Sequence, residues 1–211
     1  MRARCPRGLL PALMLTLSQI PVMTTAAVAS GTAPLPAGLY RLDPHHSRIA
    51  WAVNHLGFST YRGLIPSAGG TLRLDPAHPE AAQLDVTVEM KGITSLDGEL
   101  DRRLRGPQFF DTRRYPMASY HVEGLTMTGP GTATLLGRMT LCGVTHPMTM
   151  KVRFERAGRD PVDGRMTLGF DGTATLRRSA FGIVAYTPLV GDDAALDLEA
   201  EFTPDESGPT H

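Results

Sequence analysis

Arg48-Ile49-Ala50-Trp51-Ala52-Val53-Asn54-His55 places Ile49, Trp51, Val53 and His55 on one side of an extended chain. Arg48, Ala50, Ala52 and Asn54 fall on the other side. Side chains of a strand alternate between its two faces, so this stretch reads as a strand with one apolar face. The same period returns along the chain. Leu84, Val86, Val88 and Met90 alternate with Asp85, Thr87 and Glu89; Ala118, Tyr120 and Val122 alternate with Ser119, His121 and Glu123. Leu135, Gly137, Met139 and Leu141 oppose Thr134, Arg138 and Thr140. Met148, Met150, Val152 and Phe154, then Met166, Leu168 and Phe170, then Leu196, Leu198, Ala200 and Phe202 repeat the pattern.

With Gly38–Asp43 and Tyr61–Leu74 added, the chain offers eight or nine one-sided strands. Turn residues separate them: Asp43-Pro44, Asp75-Pro76, Gly129-Pro130-Gly131 and Asp163-Gly164. Apolar faces of this number must close on each other as a sandwich or a barrel, and a barrel also removes the exposed strand edges. One segment departs from the period. Leu96, Leu100 and Leu104 form a helical stripe. Thr94 and Asp97 have the spacing of a capping box, Asp101 and Arg105 can pair across one turn, and Gly106-Pro107 stops the helix. Phe109-Phe110 follows, and the short helix with this aromatic pair can plug or roof a barrel end.

The N-terminus reads as an export signal. Arg2, Arg4 and Arg7 precede an apolar run from Leu9 to Val22, and Ala27-Val28-Ala29 has the small-x-small form of a cleavage site. The run is short for a membrane span and is broken by Pro11 and Pro21. The organisation expected is a signal at 1–29, a linker at 30–37, a barrel domain at 38–203 and a polar tail at 204–211. The chain of 211 residues has a formal net charge of zero. Without the three arginines of the signal it carries 18 basic and 21 acidic residues, a net charge of −3. That balance gives no footprint for nucleic acid. Cys5 leaves with the signal, so Cys142 stands alone and is expected as a small buried hydrophobe.

Motifs of catalysis are missing from the string: no Gly-x-Ser-x-Gly, His-Glu-x-x-His, Cys-x-x-Cys or phosphate-cradling loop is present, and no cofactor is called for. His45-His46 is the single histidine pair, and neighbouring side chains in an extended segment point apart, so no metal site is expected. His55 lies on the apolar face of its strand, either as a core histidine bonded to a carbonyl or as a polar group meeting a ligand headgroup. Arg102, Arg103, Arg105, Arg113-Arg114 and Arg177-Arg178 are either solvated surface or a basic rim for an anionic headgroup. The methionines of the strands, Met139 and Met150 among them, suit either an ordinary core or an adaptable ligand cavity.

Several stretches together resemble the YceI-like family of periplasmic lipid-binding proteins. They are Tyr40-x-Leu42-Asp43-x-x-His46-Ser47-x-Ile49-x-Trp51-x-Val53-x-His55-Leu56-Gly57, then Ser59-x-Tyr61-x-Gly63, then Asp101-x-x-Leu104, Phe109-Phe110-Asp111 and Tyr115-Pro116. Gly137-x-Met139-Thr140-Leu141-x-Gly143-Val144-Thr145-x-Pro147 and Arg178-Ser179-x-Phe181-Gly182 complete the set. The chain departs from the family where Leu100-Asp101-Arg102-Arg103-Leu104 stands for Arg-Asp-x-His-Leu, where Cys142 replaces Asn and where Gln108 replaces an acid before the Phe pair.

The resemblance implies an all-β fold: an extended, antiparallel, eight-stranded lipocalin-like barrel with a short helical segment. It implies a tunnel for a polyisoprenoid lipid, either a polyprenyl phosphate or an isoprenoid quinone, in an exported periplasmic protein; with no nucleophile–base pair visible in the sequence, an enzyme is not expected. Ligand-lining residues expected on this basis are Ile49, Trp51, Val53 and His55; Val86 and Val88; Leu104, Phe109 and Phe110; Met139 and Leu141; Met150; Phe170; and Phe181. Transient membrane contact during lipid exchange and a homodimer are compatible with it. The contrasting readings are a hydrolase of a lipid-like amide or ester and a ligand-free structural or partner-binding barrel. Each five-carbon unit buried supplies on the order of 3–4 kcal/mol at most, so a long tail needs few polar contacts.

The mature chain is expected to start at Ser30. Intact-mass measurement of the protein exported by its own host checks this; a chain retaining residues 1–29 would refute both the cleavage and the export.

Overall fold

The computed structural model describes residues 35–66 and 68–206. The expected signal, most of the expected linker and residues 207–211 of the expected tail lie outside the described residues. Ten strands form one antiparallel sheet: β1 (Gly38–Leu42), β2 (Arg48–His55), β3 (Ser59–Ile65), β4 (Ala68–Leu74), β5 (Gln83–Glu89), β6 (Met117–Gly129), β7 (Thr132–Leu141), β8 (Val144–Arg159), β9 (Met166–Arg177) and β10 (Val190–Pro204). One helix, α1 (Gly98–Leu104), stands between β5 and β6.

These ten segments occupy eight positions around a barrel. The long β10 pairs with β2 along Val190–Glu199 and with β1 at Phe202–Pro204, so β1 and β2 share one position. β3 pairs with β2 and β4 pairs with β1, so they share the next. The stretch 61–74, expected as one strand, breaks at Pro66, which has no backbone N–H to give to a ladder. The ring closes because β1 contacts both β4 and β10. The last strand runs one residue past the expected domain end, and the Asp205 backbone N–H still donates to Leu39 O at 2.9 Å.

At one end the barrel wall is incomplete. The outer edge of β3 meets only a Leu64–Thr94 bridge among the described residues. Residues 90–116, carrying α1, fill the gap between β3 and β6. The helix begins later than the expected capping box. Asp97 is its N-cap, accepting from the Glu99 and Leu100 backbone N–H groups at 2.8 and 3.3 Å. Leu96 lies outside the helix with φ +67° and is 88% exposed, so only Leu100 and Leu104 of the stripe face inward. Thr94 does not cap, because its hydroxyl donates to Asp101 Oδ2 at 2.7 Å.

Asp101 is the anchor of this seam. It is buried, and its Oδ1 accepts from both the Ser95 N–H at 2.6 Å and the Ser95 hydroxyl at 2.7 Å. Arg105 lies 3.7 Å away, as the one-turn spacing predicts, and donates to Ile93 O at 3.0 Å. Burial by itself would raise the Asp101 pKa, but the bonds from Ser95 and Thr94 and the charge of Arg105 outweigh it and hold the carboxyl below its ordinary value.

Cys142 and Gly143 form the two-residue turn between β7 and β8, with φ +52° and +76°. Both angles lie in the left-handed region, the requirement of a tight hairpin turn. A Cβ at position 143 would also sit 2.7 Å from the Tyr115 ring. The Cys142 thiol is half-buried against the carbonyls of Phe109 and Phe110, at 3.8 and 3.6 Å. Burial, helped by the charge of Asp111, pushes its pKa up to about 11.

Two outcomes follow from these contacts. Asp101→Asn should lose about 2–3 kcal/mol in urea unfolding, because it removes an acceptor and a charge from a buried network. The wild-type contribution, whose folded pKa is depressed, should be complete above the unfolded carboxyl pKa of about 3.9 and be lost as pH falls through the folded value. An Asn variant with unchanged stability would refute the anchor. Alkylation of Cys142 at pH 8 should run roughly a hundredfold slower than that of an exposed thiol and quicken with each pH step towards 11; rapid labelling at neutral pH would contradict the buried thiol.

Candidate functional site

The barrel interior is not filled. Two apolar chambers, of about 330 and 550 Å³, lie one beyond the other along the strands. Ile49, Val88, Met139 and Leu196 line both, so the chambers meet at this ring of four side chains. From Val190 to Phe202, β10 contributes wall to both chambers over roughly 40 Å of strand. Strand alternation explains the lining: one face of each strand points inward, and that face is the apolar set read from the sequence.

The larger, lower chamber lies where the wall is completed by residues 90–116. Trp51, Val53 and His55 of β2 line it, with Leu104 of α1, Phe109 and Phe110 beyond the helix, and Leu141 of β7. Trp51 fits because Gly63 stands opposite it on β3. A Cβ at position 63 would fall 2.3 Å from the indole ring and 2.1 Å from the Thr94 carbonyl oxygen. His55 stacks at 4.2 Å on Tyr61, which also lines the chamber. Phe109 stacks on Tyr186 at 6.2 Å.

The smaller, upper chamber takes Val86 of β5, Met150 of β8 and Phe170 of β9. Tyr120 also lines it, lying across Gly137, where a Cβ would come 2.6 Å from the phenol ring. Its hydroxyl donates to Met148 O at 3.1 Å, and burial raises its pKa to about 12, so it is a neutral donor at any physiological pH.

Thirteen of the fourteen residues expected to line a ligand cavity therefore border one or both chambers. Phe181 does not border either. It is buried in the short 3-10 turn Arg178–Phe181, where its ring meets the His146 ring edge-on at 5.4 Å. Its neighbour Arg178 is the residue of that turn that borders the lower chamber.

Arg178 was read in the sequence as part of a basic run, either solvated surface or a rim for an anionic headgroup, and as the start of the Arg178-Ser179-x-Phe181-Gly182 motif, but not among the lining residues. It is 6% exposed, and its Nε donates to Gly191 O at 2.8 Å, its Nη2 to Val190 O at 3.1 Å. Burial pulls its pKa below the ordinary arginine range while the nearby Asp192 counters the shift, and the guanidinium stays a cation. Asp192 itself is bound by Ser179, whose N–H and hydroxyl donate to it at 2.8 and 2.6 Å. Among the other lining residues that the sequence did not disclose, Ile183, Tyr186 and Leu189 belong to a loop without any period. A period-two reading cannot assign a face to a residue outside a strand.

Comparison with known proteins agrees with this architecture. A UPF0312 protein of Pseudomonas putida is 36% identical over 167 residues, covering 76% of this chain and 86% of that protein. The crystal structure of Burkholderia cenocepacia BcnA superposes with a TM-score of 0.69 at 20% identity, covering 76% of this chain and 98% of that one. A polyisoprenoid binding domain from Saccharophagus degradans superposes with a TM-score of 0.62 at 10% identity, covering 81% and 100%. The YceI-like domain family matches residues 40–202. On the match over that span and the identity to the Pseudomonas protein, this chain belongs to the YceI-like family.

Proposed function

We propose that this protein binds a long polyisoprenoid lipid, a polyprenyl phosphate or an isoprenoid quinone, and carries or stores it in the periplasm. The observation that carries the reading is the pair of chambers meeting at Ile49, Val88, Met139 and Leu196. Protein interiors are ordinarily packed as densely as organic crystals. Apolar walls that face unfilled space lack packing partners on that side, and an apolar guest supplies those contacts. The lining is aliphatic and aromatic over most of its length, which suits a tail of repeated branched units better than a compact polar substrate. That the solved polyisoprenoid binding domain shares this fold supports the same reading.

The basic leader and the Ala27-Val28-Ala29 site support export. The headgroup belongs at the lower chamber, where Arg178, His55 and Tyr61 border the space. The hydrolase reading gains no support from two of the chamber hydroxyls, those of Ser47 and Tyr120. Ser47, which borders the upper chamber, exchanges hydrogen bonds with the Glu201 backbone, accepting at 3.0 Å and donating at 3.4 Å, and Tyr120 is held by Met148 O. A nucleophile needs a base within reach, and these two hydroxyls spend their bonds on the backbone.

Two substitutions test the tunnel from different directions. Trp51→Arg places a charge on the apolar wall and should abolish lipid capture, compared at equal folded fraction. Met139→Trp adds bulk where the chambers meet and should reduce long-chain lipid about tenfold while the barrel stays folded, since the ring grows into open space. The measurement is extracted lipid per folded protein by mass spectrometry, after purification from the native host. If folded Met139→Trp carries its full long-chain load, the tail does not pass between the chambers.

A further inference from the structure

The exposed apolar side chains of this protein are not spread evenly. Of thirteen large hydrophobic residues exposed among the described residues, nine lie at the end of the barrel that holds the lower chamber. Phe58, at the tip of the β2–β3 hairpin, is 91% exposed. Leu56 beside it, and Val184, Tyr186 and Leu189 of the loop before β10, are also exposed. Leu56, Tyr186 and Leu189 border the lower chamber as well as solvent, so the chamber opens between them. The hairpin and the loop are one surface, joined by the hydrogen bond from the Leu56 N–H to Leu189 O at 2.9 Å.

Charge is divided the same way. The segments 56–58, 90–116, 142–143 and 178–189 form this end and, apart from the buried Arg178 and Asp101, carry six Lys and Arg against three carboxylates. The segments 75–82, 130–131, 160–165 and 205–206 form the opposite end and carry Arg165 against six carboxylates; one of these, Asp205, is paired with Arg41, and Arg159 stands close by. An apolar rim set in a basic field fits a surface that is anionic and has an apolar interior beneath its headgroups. A chamber mouth inside that rim would then face the hydrocarbon, so a water-insoluble tail could cross without entering water.

From this we infer that the lower end, with Phe58 at its tip, docks on an anionic lipid bilayer and that the tunnel loads and unloads through the mouth between Leu56, Tyr186 and Leu189. The inference rests on the lipid-tunnel reading above and adds to it the surface and the partner. The acidic opposite end sets the orientation, because the same membrane repels it.

The test is flotation of the protein with vesicles of phosphatidylethanolamine and phosphatidylglycerol, beside vesicles of phosphatidylcholine alone. Binding should require the anionic lipid and weaken as salt rises. Phe58→Asp, and separately Arg113→Glu with Arg114→Glu, should each reduce the bound fraction about tenfold. Val162→Asp, at an equally exposed apolar position on the opposite end, should change nothing. Equal binding by Phe58→Asp and wild type, or an equal loss in Val162→Asp, would overturn the docking surface. So would a solution mass that falls from dimer to monomer in Phe58→Asp, which would make the rim a contact between two copies. A second arm offers polyprenol in detergent micelles. Wild type and Phe58→Asp that load alike from micelles, while only wild type binds vesicles, support docking. A wild type that loads from micelles but never floats overturns docking and leaves the tunnel standing; one that takes no polyprenol from micelles overturns the tunnel.

Discussion

The five residues of β1 hold the barrel shut. Tyr40 and Arg41 are shared between two ladders, pairing with Leu72 and Thr71 of β4 on one side and with Pro204 and Thr203 of β10 on the other, while Leu42 pairs with Phe202 of β10. Bonds beyond the strand reinforce this short seam: the Asp43 N–H reaches Glu201 O at 2.8 Å, the Ser47 hydroxyl accepts from the Glu201 N–H, and Arg41 pairs with Asp205 at 2.8 Å. Closure satisfies strand edges that would otherwise invite pairing with another chain. It also fixes register, and register decides which side chains line the interior.

Below that seam, closure takes another form. The wall beside β3 is completed by residues 90–116 rather than by a strand, and a bound carboxylate does the fastening there. Asp101 gathers Thr94, Ser95 and Arg105, while Arg105 reaches the Ile93 carbonyl. Side-chain bonds of this kind, with the two backbone bonds between Leu64 and Thr94, are few compared with a full ladder. The larger chamber and the exposed rim lie in the same half.

Space inside the barrel depends on small residues placed opposite large ones. Gly63 admits the indole of Trp51, and Gly137 admits the phenol of Tyr120. With a side chain at either position the aromatic ring would be driven towards the middle of the tunnel. Gly172 does similar work in the upper chamber, facing Leu198 and Met150 at contact distance. The aromatic rings thus form part of the chamber walls, and the flexible Met139 stands where the chambers meet.

The sequence by itself determined the strands, their inward faces and the presence of one helix, because period-two and helical patterns are local properties of the chain. That is why Ile49, Trp51, Val86, Met139 and Phe170 could be placed on the interior from their spacing. Helical spacing marked Leu104, and the Phe109-Phe110 pair stood out beside the helix; the family resemblance added the expectation that they line a ligand cavity. Tertiary structure decided what depends on partners far away in the chain. Asp101 displaced the expected capping role of Thr94 by binding its hydroxyl, which moved the helix start to Asp97. Phe181 turned into the packing against His146 while Arg178, beside it, reached the chamber, because the carbonyls of Val190 and Gly191 hold the guanidinium there. The two chambers, their meeting point and the rim around Phe58 exist only once β10 has paired with β1 and β2, since each is bordered by residues from many strands and no stretch of sequence contains it.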